Sequence, residues 1–317
     1  MLTRRSLLSS LGGLVAASAL PSWGEDNPAV FPARGKFERL VLAYQHVHIG
    51  LEKPFSVLHI SDTHLTAAYA DEPAEKQKLH TLRTQTFGGR QEEALRDSLD
   101  WAKKNVDYVI HTGDLVDWQS RANFDLVKKY FGGAMTGALG NHEFSPSMWL
   151  GKKKEEPSEA YKEPSRAALA AAYPFDIELQ STVVNGVNFV TLDDVYGYVT
   201  ARQVARFAAE VKKGLPIVLC MHVPFVTPEL WRADMKFWRA ERTYTSATLA
   251  DPRGDYARQR LDVVTRDFIA ALRREPLLKA ILAGHFHITV QERFSPTAVQ
   301  YVVGGNFMFH GQEVLFT

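Results

Sequence analysis

The chain contains 317 residues, of which 45% are hydrophobic, and it carries 37 basic against 36 acidic side chains. A chain of this length can bury a large core, and the near balance of charge gives no support to an extended basic surface for nucleic acid or an anionic membrane. Its single cysteine, Cys220, excludes an intramolecular disulfide. Cys220 lies in the apolar run 217–221, so we interpret it as a small buried hydrophobic residue rather than as a nucleophile.

The N-terminus has the pattern of an export signal. Arg4 and Arg5 precede an apolar stretch, 7–20, in which residues 17–19 fit a small-residue cleavage site. The stretch is too short for a comfortable membrane span. The paired arginines resemble a twin-arginine signal, with an ordinary secretory signal or an uncleaved, tethered form as alternatives. We therefore expect a periplasmic or otherwise exported protein that uses the twin-arginine export machinery and has no transmembrane span in its mature chain.

Behind this signal, the sequence predicts a linker and one domain with two inserted loops. The first insertion carries a run of charges and is interpreted as solvated. The second mixes tryptophan with arginine, which is typical of a substrate lid or of an aromatic cluster that closes over the core. The predicted segments are the signal peptide at 1–24, the linker at 25–36, the domain at 37–317, and the inserted loops near 143–164 and 224–259.

Within the domain, short apolar runs alternate with amphipathic segments. The apolar runs predict strands at 40–44, 55–60, 108–111, 135–139, 217–221 and 280–283. Apolar residues at helical spacing predict helices at 91–104, 122–130, 165–172, 201–213 and 258–274. This alternation is typical of an α/β protein with buried sheets.

Other strands carry the signals of antiparallel pairing. Asn185-Gly186 between the apolar runs 182–184 and 187–192 predicts a tight hairpin, because both turn residues accept positive φ. Residues 288–316 again predict short strands with glycines at the turns. Antiparallel pieces beside buried strands favour two sheets packed face to face, with helices outside.

Side chains that bind metals follow five of the predicted strands. Each group lies just past the carboxyl end of its strand, which is where ligand sites form in open α/β sheets. The groups are Asp62-Thr63-His64, Gly113-Asp114, Gly140-Asn141-His142-Glu143, His222, and Gly284-His285-Phe286-His287.

The side chains of the five groups offer oxygen and nitrogen ligands of the same general kind. Carboxylate, imidazole and amide ligands without thiolate favour Mn, Fe or Zn over a cysteine-rich structural zinc site. The candidate ligands are too many for one ion, and a shared carboxylate can bridge two ions about 3.5–4 Å apart, a geometry used for phosphoryl displacement. We therefore expect two divalent or trivalent metal ions.

The order of the five groups resembles the pattern of the calcineurin-like metallophosphoesterases over roughly residues 55–288. One such motif is weak, whereas five in this order, each after a strand, are specific. The resemblance implies a four-layer αββα sandwich of two mixed β-sheets flanked by helices. It also implies hydrolysis of a small phosphate monoester or diester by a hydroxide held between the two ions.

The same resemblance implies a role for each residue, with Asp114 bridging the two ions. The implied ligands are Asp62, His64 and His287 for one ion, and Asn141, His222 and His285 for the other. His142 would face the substrate, stabilise the transition state and protonate the leaving group. Asp117 would orient His142, and Glu143 would support the site without touching the metals.

Several residues limit these expectations. Trp118 stands where the related Ser/Thr phosphatases have an arginine, which argues against protein phosphatase activity. The remaining histidines have no partner motif, and we interpret them as structural. They include His46, His48, His59, His80, His111 and His310.

Two other functions are less well supported by the sequence than a hydrolase. A non-catalytic metal-binding protein of the same fold is disfavoured by the complete ligand set. A nuclease is disfavoured by the balanced charge, which gives no clear nucleic-acid surface. The leading hypothesis is an exported binuclear phosphoesterase.

Overall fold

The computed structural model describes residues 39–132, 135–147, 158–239 and 262–317, so the predicted signal peptide and linker lie outside the described residues. The strands are β1 (Val41–Val47), β2 (Phe55–Ile60), β3 (Tyr108–Thr112), β4 (Met135–Ala138), β5 (Leu179–Val184), β6 (Val187–Leu192), β7 (Ile217–Cys220), β8 (Leu278–Ala283), β9 (Val290–Arg293), β10 (Val299–Val302) and β11 (His310–Phe316). The helices are α1 (Ala74–Thr86), α2 (Gln91–Asn105), α3 (Arg121–Tyr130), α4 (Glu159–Ala172), α5 (Ala201–Val211), α6 (Pro228–Phe237) and α7 (Val263–Leu272).

The strands form two mixed sheets. The first has the order β1-β11-β2-β3-β4, and the second has the order β5-β6-β7-β8-β10-β9. In the first sheet β2, β3 and β4 are parallel, and in the second β6, β7 and β8 are parallel. The carboxyl ends of each parallel set therefore meet at one edge of their sheet, and the loops that follow them lie together.

The two sheets pack face to face through an apolar layer. Phe55 of β2 stacks on Phe316 of β11, with ring centroids 5.1 Å apart, and the edge of Phe189 in β6 meets Phe316 at 5.5 Å. Such aromatic pairs add specific geometry to the burial of apolar area. Cys220 is fully buried in the same layer, as expected for a small hydrophobic residue.

Helices cover both outer faces. Leu95 and Trp101 of α2 pack on Leu58 of β2. On the other side, Phe207 of α5 and Phe268 of α7 meet edge to face at 5.3 Å above the second sheet. The architecture is the four-layer αββα sandwich that the sequence predicted. No helix among the described residues combines the length and apolar character needed to cross a membrane.

The hairpin prediction is confirmed. β5 and β6 pair antiparallel through Asn185-Gly186, whose φ values are 48° and 83°. Both turn residues occupy the left-handed region, as the tight hairpin requires.

The structure corrects the prediction in the two segments interpreted as loops. In 143–164, Glu143 and Phe144 are fully buried and α4 begins at Glu159, so the described part of this segment is not a solvated loop. In 224–259, helix α6 begins with Pro228 at its first turn, where a missing N–H costs nothing. The charge run 152–156 and residues 240–261 lie outside the described residues.

Candidate metal centre

Backbone hydrogen bonds bring the first two groups of candidate ligands together. Beyond the ends of β2 and β3 the chains stay paired, since the N–H of Asp62 donates to the carbonyl of Gly113 and the N–H of His64 donates to that of Asp114, each at 2.9 Å. In the second sheet, the N–H of Gly284 donates to the carbonyl of His222 at 3.0 Å. The loops therefore place their side chains at one common edge.

The backbone at these positions is strained. Asp62, His64, Asp114, His285 and His287 all have positive φ, between 52° and 73°. A residue with a side chain held in this region costs about 1–3 kcal/mol and is found mainly where the conformation is required for function. In this backbone conformation the ligand atoms of these residues lie close to those of their neighbours in the clusters described below.

The first cluster contains Asp62, His64 and His287, whose ligand atoms lie within 4.8 Å of one another. His287 Nε2 is 3.3 Å from Asp62 Oδ1 and 3.1 Å from His64 Nε2. The side chains of Asp62 and His64 are fully buried, while that of His287 is 16% exposed.

The second cluster contains Asp114, His222 and His285. His222 Nε2 lies 3.3 Å from Asp114 Oδ2, 3.2 Å from His285 Nδ1 and 3.2 Å from Asn141 Oδ1. Asp114 Oδ2 is also 3.8 Å from His64 Nε2, so its carboxylate lies between the two clusters. The structure thus brings together all seven ligands implied by the sequence.

The donor atoms fit metal ions. His222 donates Nδ1–H to the carbonyl of Thr112 at 2.8 Å, and His64 donates Nδ1–H to Asp117 Oδ1 at 2.9 Å. In the neutral imidazole each hydrogen bond fixes the tautomer and leaves the lone pair of Nε2 facing the cluster. Without a metal ion the carboxylate of Asp114 raises the pKa of His222 to about 10 against the opposing effect of burial, so a metal ion would replace that proton. Buried lone pairs of nitrogen and oxygen that converge in this way repel one another unless a cation lies among them.

Two glycines allow this close packing. A Cβ on Gly140 would lie 2.7 Å from Asp114 Cγ, and one on Gly284 would lie 2.5 Å from Asp62 Oδ2. Any side chain at these positions would displace a candidate ligand carboxylate, which explains why glycine precedes Asn141 and His285.

His142 and Asp117 form a pair beside the clusters. His142 Nδ1 is 2.8 Å from Asp117 Oδ1, the contact expected from the sequence, and His142 Nε2 is 3.8 Å from Asp114 Oδ2. His142 also forms a third group of possible ligands with His64 and Asp114. Burial opposes its charged form, but the carboxylates of Asp114 and Asp117 raise the pKa of His142 to about 9.

The sequence profile described as calcineurin-like phosphoesterase matches residues 55–289. The chain belongs to the calcineurin-like phosphoesterase family. The matched region contains all seven candidate ligands together with His142 and Asp117, and it makes the protein a hydrolase of phosphoric esters. The family and the Asp/His clusters together indicate that it binds divalent metal ions.

Solved structures with a similar fold include several of this class. A dimetal phosphatase from Danio rerio is 17% identical, with 80% of this chain and 88% of that chain covered at a TM-score of 0.46. A calcineurin-like phosphoesterase from Bacillus subtilis is 11% identical, with 80% and 82% covered at 0.38. A 5′-nucleotidase from Candida albicans is 12% identical, with 84% and 47% covered at 0.40. No curated protein sequence matches the chain. Because these TM-scores are below 0.5, membership of the family rests on the sequence profile.

In this calcineurin-like phosphoesterase, Glu143 supports the centre through the backbone. Its Oε2 accepts the N–H groups of Asp114 at 3.0 Å and Gly140 at 2.7 Å, and its Oε1 accepts from Val116 and from the hydroxyl of Tyr173. Burial and the charge of Asp114 raise the pKa of Glu143 to about 7. Glu143 thus ties together the loops that follow β3 and β4.

Sequence reasoning missed Asp194. Its Oδ1 accepts the N–H groups of His222 at 3.0 Å and Val223 at 3.1 Å, which fixes the loop that carries His222. Burial raises the pKa of Asp194 to about 7. Asp194 follows the end of β6, so the rule that found the other groups could have found it.

Sequence reasoning also missed Arg83 of α1. Its Nε and Nη2 donate to the two oxygens of Asp117, at 2.5 Å and 2.9 Å. Nothing in the local sequence links this helix to the centre, because the contact spans 34 positions along the chain.

Two histidines interpreted as structural lie in the core near the centre. His59 accepts at Nδ1 from Gln312 at 2.6 Å and donates from Nε2 to the hydroxyl of Thr112 at 2.8 Å. His111 donates to the hydroxyl of Thr63 at 2.9 Å. Burial lowers the pKa of each to about 3, so both are neutral. No group of possible metal ligands among the described residues includes either one.

Proposed function

We propose that this calcineurin-like phosphoesterase hydrolyses small phosphate monoesters or diesters with two metal ions that share Asp114. The observation that carries the proposal is the position of the Asp114 carboxylate, 3.3 Å from His222 Nε2 and 3.8 Å from His64 Nε2. One ligand set would be Asp62, His64 and His287, and the other would be Asn141, His222 and His285. Mn, Fe or Zn suits this mixture of oxygen and nitrogen donors.

Hydrogen bonds within the protein orient the proposed metal ligands. When bound, the two ions supply Lewis acidity that offsets the charge of the phosphate oxygens and makes a water acidic enough to act as the nucleophile. The chain contributes the fixed orientation of the imidazoles, through the carbonyl of Thr112 behind His222 and the carboxylate of Asp117 behind His64. Such supporting contacts limit the reorganisation needed during reaction.

His142 would act as the general acid. The charge of Asp117 favours the protonated imidazole, and its contact with Nδ1 leaves the Nε2–H facing the space beside Asp114. A proton given from Nε2 to the leaving oxygen would stabilise the alkoxide that forms as the ester bond breaks. General acid catalysis of this kind contributes roughly 10²–10⁴-fold to rate.

The exposure of the side chains in the centre supports entry of the substrate from one side of the metal site. Among the Asp and His residues of the centre, His142 and His287 have the most exposed side chains, at 12% and 16%. Asp62, His64 and His222 are fully buried. A phosphate group would therefore reach the centre on the side that exposes His287 and the proposed proton donor, His142.

The test is hydrolysis of p-nitrophenyl phosphate and bis-p-nitrophenyl phosphate by metal-free protein, with Mn, Zn or Fe added back. We expect activity to return with metal and to disappear in Asp114→Asn. Asp125→Asn is the matched control, because Asp125 is exposed on α3 and outside the centre. Equal activity with and without metal, or full activity in Asp114→Asn, would contradict the proposal.

We also propose that the protein is exported by the twin-arginine route. The support is the sequence Arg4-Arg5 followed by the apolar stretch 7–20. We expect the full chain to reach the periplasm of a bacterium that has this route, and expect Arg4→Lys/Arg5→Lys to remain in the cytoplasm. Export of the double variant at the normal level would argue for an ordinary secretory signal.

A further inference from the structure

One carboxylate contacts both halves of the proposed machinery. Asp117 Oδ1 lies 2.9 Å from Nδ1 of His64, a proposed metal ligand, and 2.8 Å from Nδ1 of His142, the proposed acid. The side chain of Asp117 is fully buried. Nδ1 of His142 also contacts the backbone carbonyl of Asp117, at 3.1 Å. A carboxylate oxygen this close to two imidazole nitrogens helps to set the orientation of both rings, provided that the carboxylate itself is held.

Arg83 holds it. The guanidinium donates from Nε to Asp117 Oδ2 and from Nη2 to Asp117 Oδ1, which is a two-pronged contact. Such charge-assisted pairs are stronger than neutral hydrogen bonds and restrict rotation of the carboxylate as well as its position. The guanidinium in turn lies over the ring of Phe87, 4.9 Å from its centroid, and Phe87 stacks on His64 at 4.2 Å.

Helix α1 presents Arg83 on a face that docks against the centre. Lys76 donates from Nζ to the carbonyl of Gln119 at 2.6 Å and also contacts that of Pro146. Leu79 packs on Trp118, and both are fully buried. Residues 76, 79 and 83 follow the spacing of one helix face, so the helix is aligned on the loops that carry Asp117 and His142.

From this geometry we infer that Arg83 is a positioning residue: it fixes the Asp117 carboxylate, and through it sets both the metal-facing orientation of His64 and the substrate-facing orientation of His142. The part that concerns His142 rests on the proposed function. The part that concerns His64 requires only that the cluster binds metal. Arg83 is expected to contact neither the metal nor the substrate.

Two other roles for Arg83 make different predictions. If Arg83 is purely structural, its replacement affects stability alone. If Arg83 binds the substrate phosphate, its replacement raises KM and leaves metal affinity unchanged. If Arg83 is a positioning residue, its replacement weakens metal binding and lowers kcat, and the loss of kcat is largest when the leaving group needs a proton.

The experiment compares Arg83→Met and Arg83→Lys with Lys78→Met, a matched control on the same helix whose side chain is exposed. The first readout is Mn²⁺ affinity of metal-free protein, measured by competition with a chelator. The second is kcat with p-nitrophenyl phosphate, which has a good leaving group, against kcat with an alkyl phosphate, which has a poor one. Thermal unfolding of each variant is recorded alongside.

In Arg83→Met we expect Mn²⁺ binding about 10-fold weaker than in Lys78→Met, the lower end of the range for removal of a direct partner of a metal ligand, because Arg83 acts on His64 through Asp117. We expect kcat to fall more for the alkyl ester than for the p-nitrophenyl ester. Arg83→Lys should be impaired in both readouts as well, because an ammonium group cannot reproduce the two-pronged contact.

Unchanged Mn²⁺ affinity in Arg83→Met, whatever happens to KM or stability, would overturn the inference. If Arg83→Met does not fold, Arg83→Lys decides, and wild-type affinity in that variant would overturn it too. A wild-type protein that hydrolyses neither ester would refute the proposed function, whereas the affinity measurement would still test Arg83. The two failures are therefore distinguishable.

Discussion

Replacement of Asp117 by asparagine is the sharpest perturbation of the proposed acid. The carboxylate accepts from His64 at 2.9 Å and from Arg83 through both oxygens. It also lies 2.8 Å from Nδ1 of His142, whose N–H contacts the backbone carbonyl of Asp117 at 3.1 Å as well. Asparagine offers only one acceptor oxygen, and its NH₂ group would face either the guanidinium or the imidazoles, all of which are donors. At least one set of contacts is therefore lost in either orientation of the amide.

The size of the effect follows from those contacts. A hydrogen bond to a charged group contributes about 1.5–3 kcal/mol. If that loss falls on the transition state, kcat decreases by roughly 10- to 150-fold, at about 1.4 kcal/mol for each factor of ten. We expect KM to change little, because Asp117 lies behind His142 and contacts no substrate. Asp117→Asn should thus lower kcat and kcat/KM together.

The pH profile gives an independent readout. Asp117 is one of the two carboxylates that raise the pKa of His142, so its neutralisation should lower that pKa. The alkaline limb of the profile of kcat, where a general acid loses its proton, should then move to lower pH. The assay is steady-state hydrolysis across pH of an alkyl phosphate, whose poor leaving group needs a proton, with Asp125→Asn as the control and metal content measured in each protein. Unchanged kcat in Asp117→Asn with full metal content would refute the assignment of His142 and Asp117.

Three further outcomes are expected. Gly140→Ala should lose bound metal, measured by elemental analysis, because its Cβ would lie 2.7 Å from Asp114 Cγ. Normal metal content would contradict this and show that the loop shifts to accommodate the Cβ atom. Burial lowers the pKa of His59 from its ordinary 6.5 to about 3. The neutral imidazole therefore contributes fully to stability above pH 6.5, and this contribution falls as the pH drops towards 3. The free energy of unfolding, measured with urea, should decrease less on acidification in His59→Gln than in the wild type. Lys162→Met should lower the free energy of unfolding by about 1–3 kcal/mol, because it removes the cation 2.8 Å from Asp193 in a pair that is 1% exposed on each side, while Arg166 stays 3.6 Å from the same carboxylate. An unchanged urea midpoint would contradict this.

The strands and the candidate ligands could be predicted because their signals are local. The run 55–60 is entirely apolar apart from Ser56 and His59 and forms β2 with the predicted bounds. Asn185-Gly186 predicts its hairpin from two residues alone. The candidate ligands meet because parallel strands end at the same edge, so a polar group after each strand is enough to predict their proximity.

The remaining features depend on contacts that no local pattern reveals. In α1 only Leu79 is buried, so the helix has almost no apolar periodicity to detect. Its contribution, Arg83, depends on the distance to Asp117 in space rather than in sequence. Likewise, Glu143 could be assigned a supporting role, but its four acceptor contacts depend on how the loops after β3 and β4 fold around it.

The most direct test of the two-metal proposal is a crystal structure of the protein with Mn²⁺, with the ions located by anomalous scattering. We expect two ions about 3.5–4 Å apart, both bound to Asp114. One ion would also be bound by Asp62, His64 and His287, and the other by Asn141, His222 and His285. A single ion, or two ions that do not share Asp114, would contradict it.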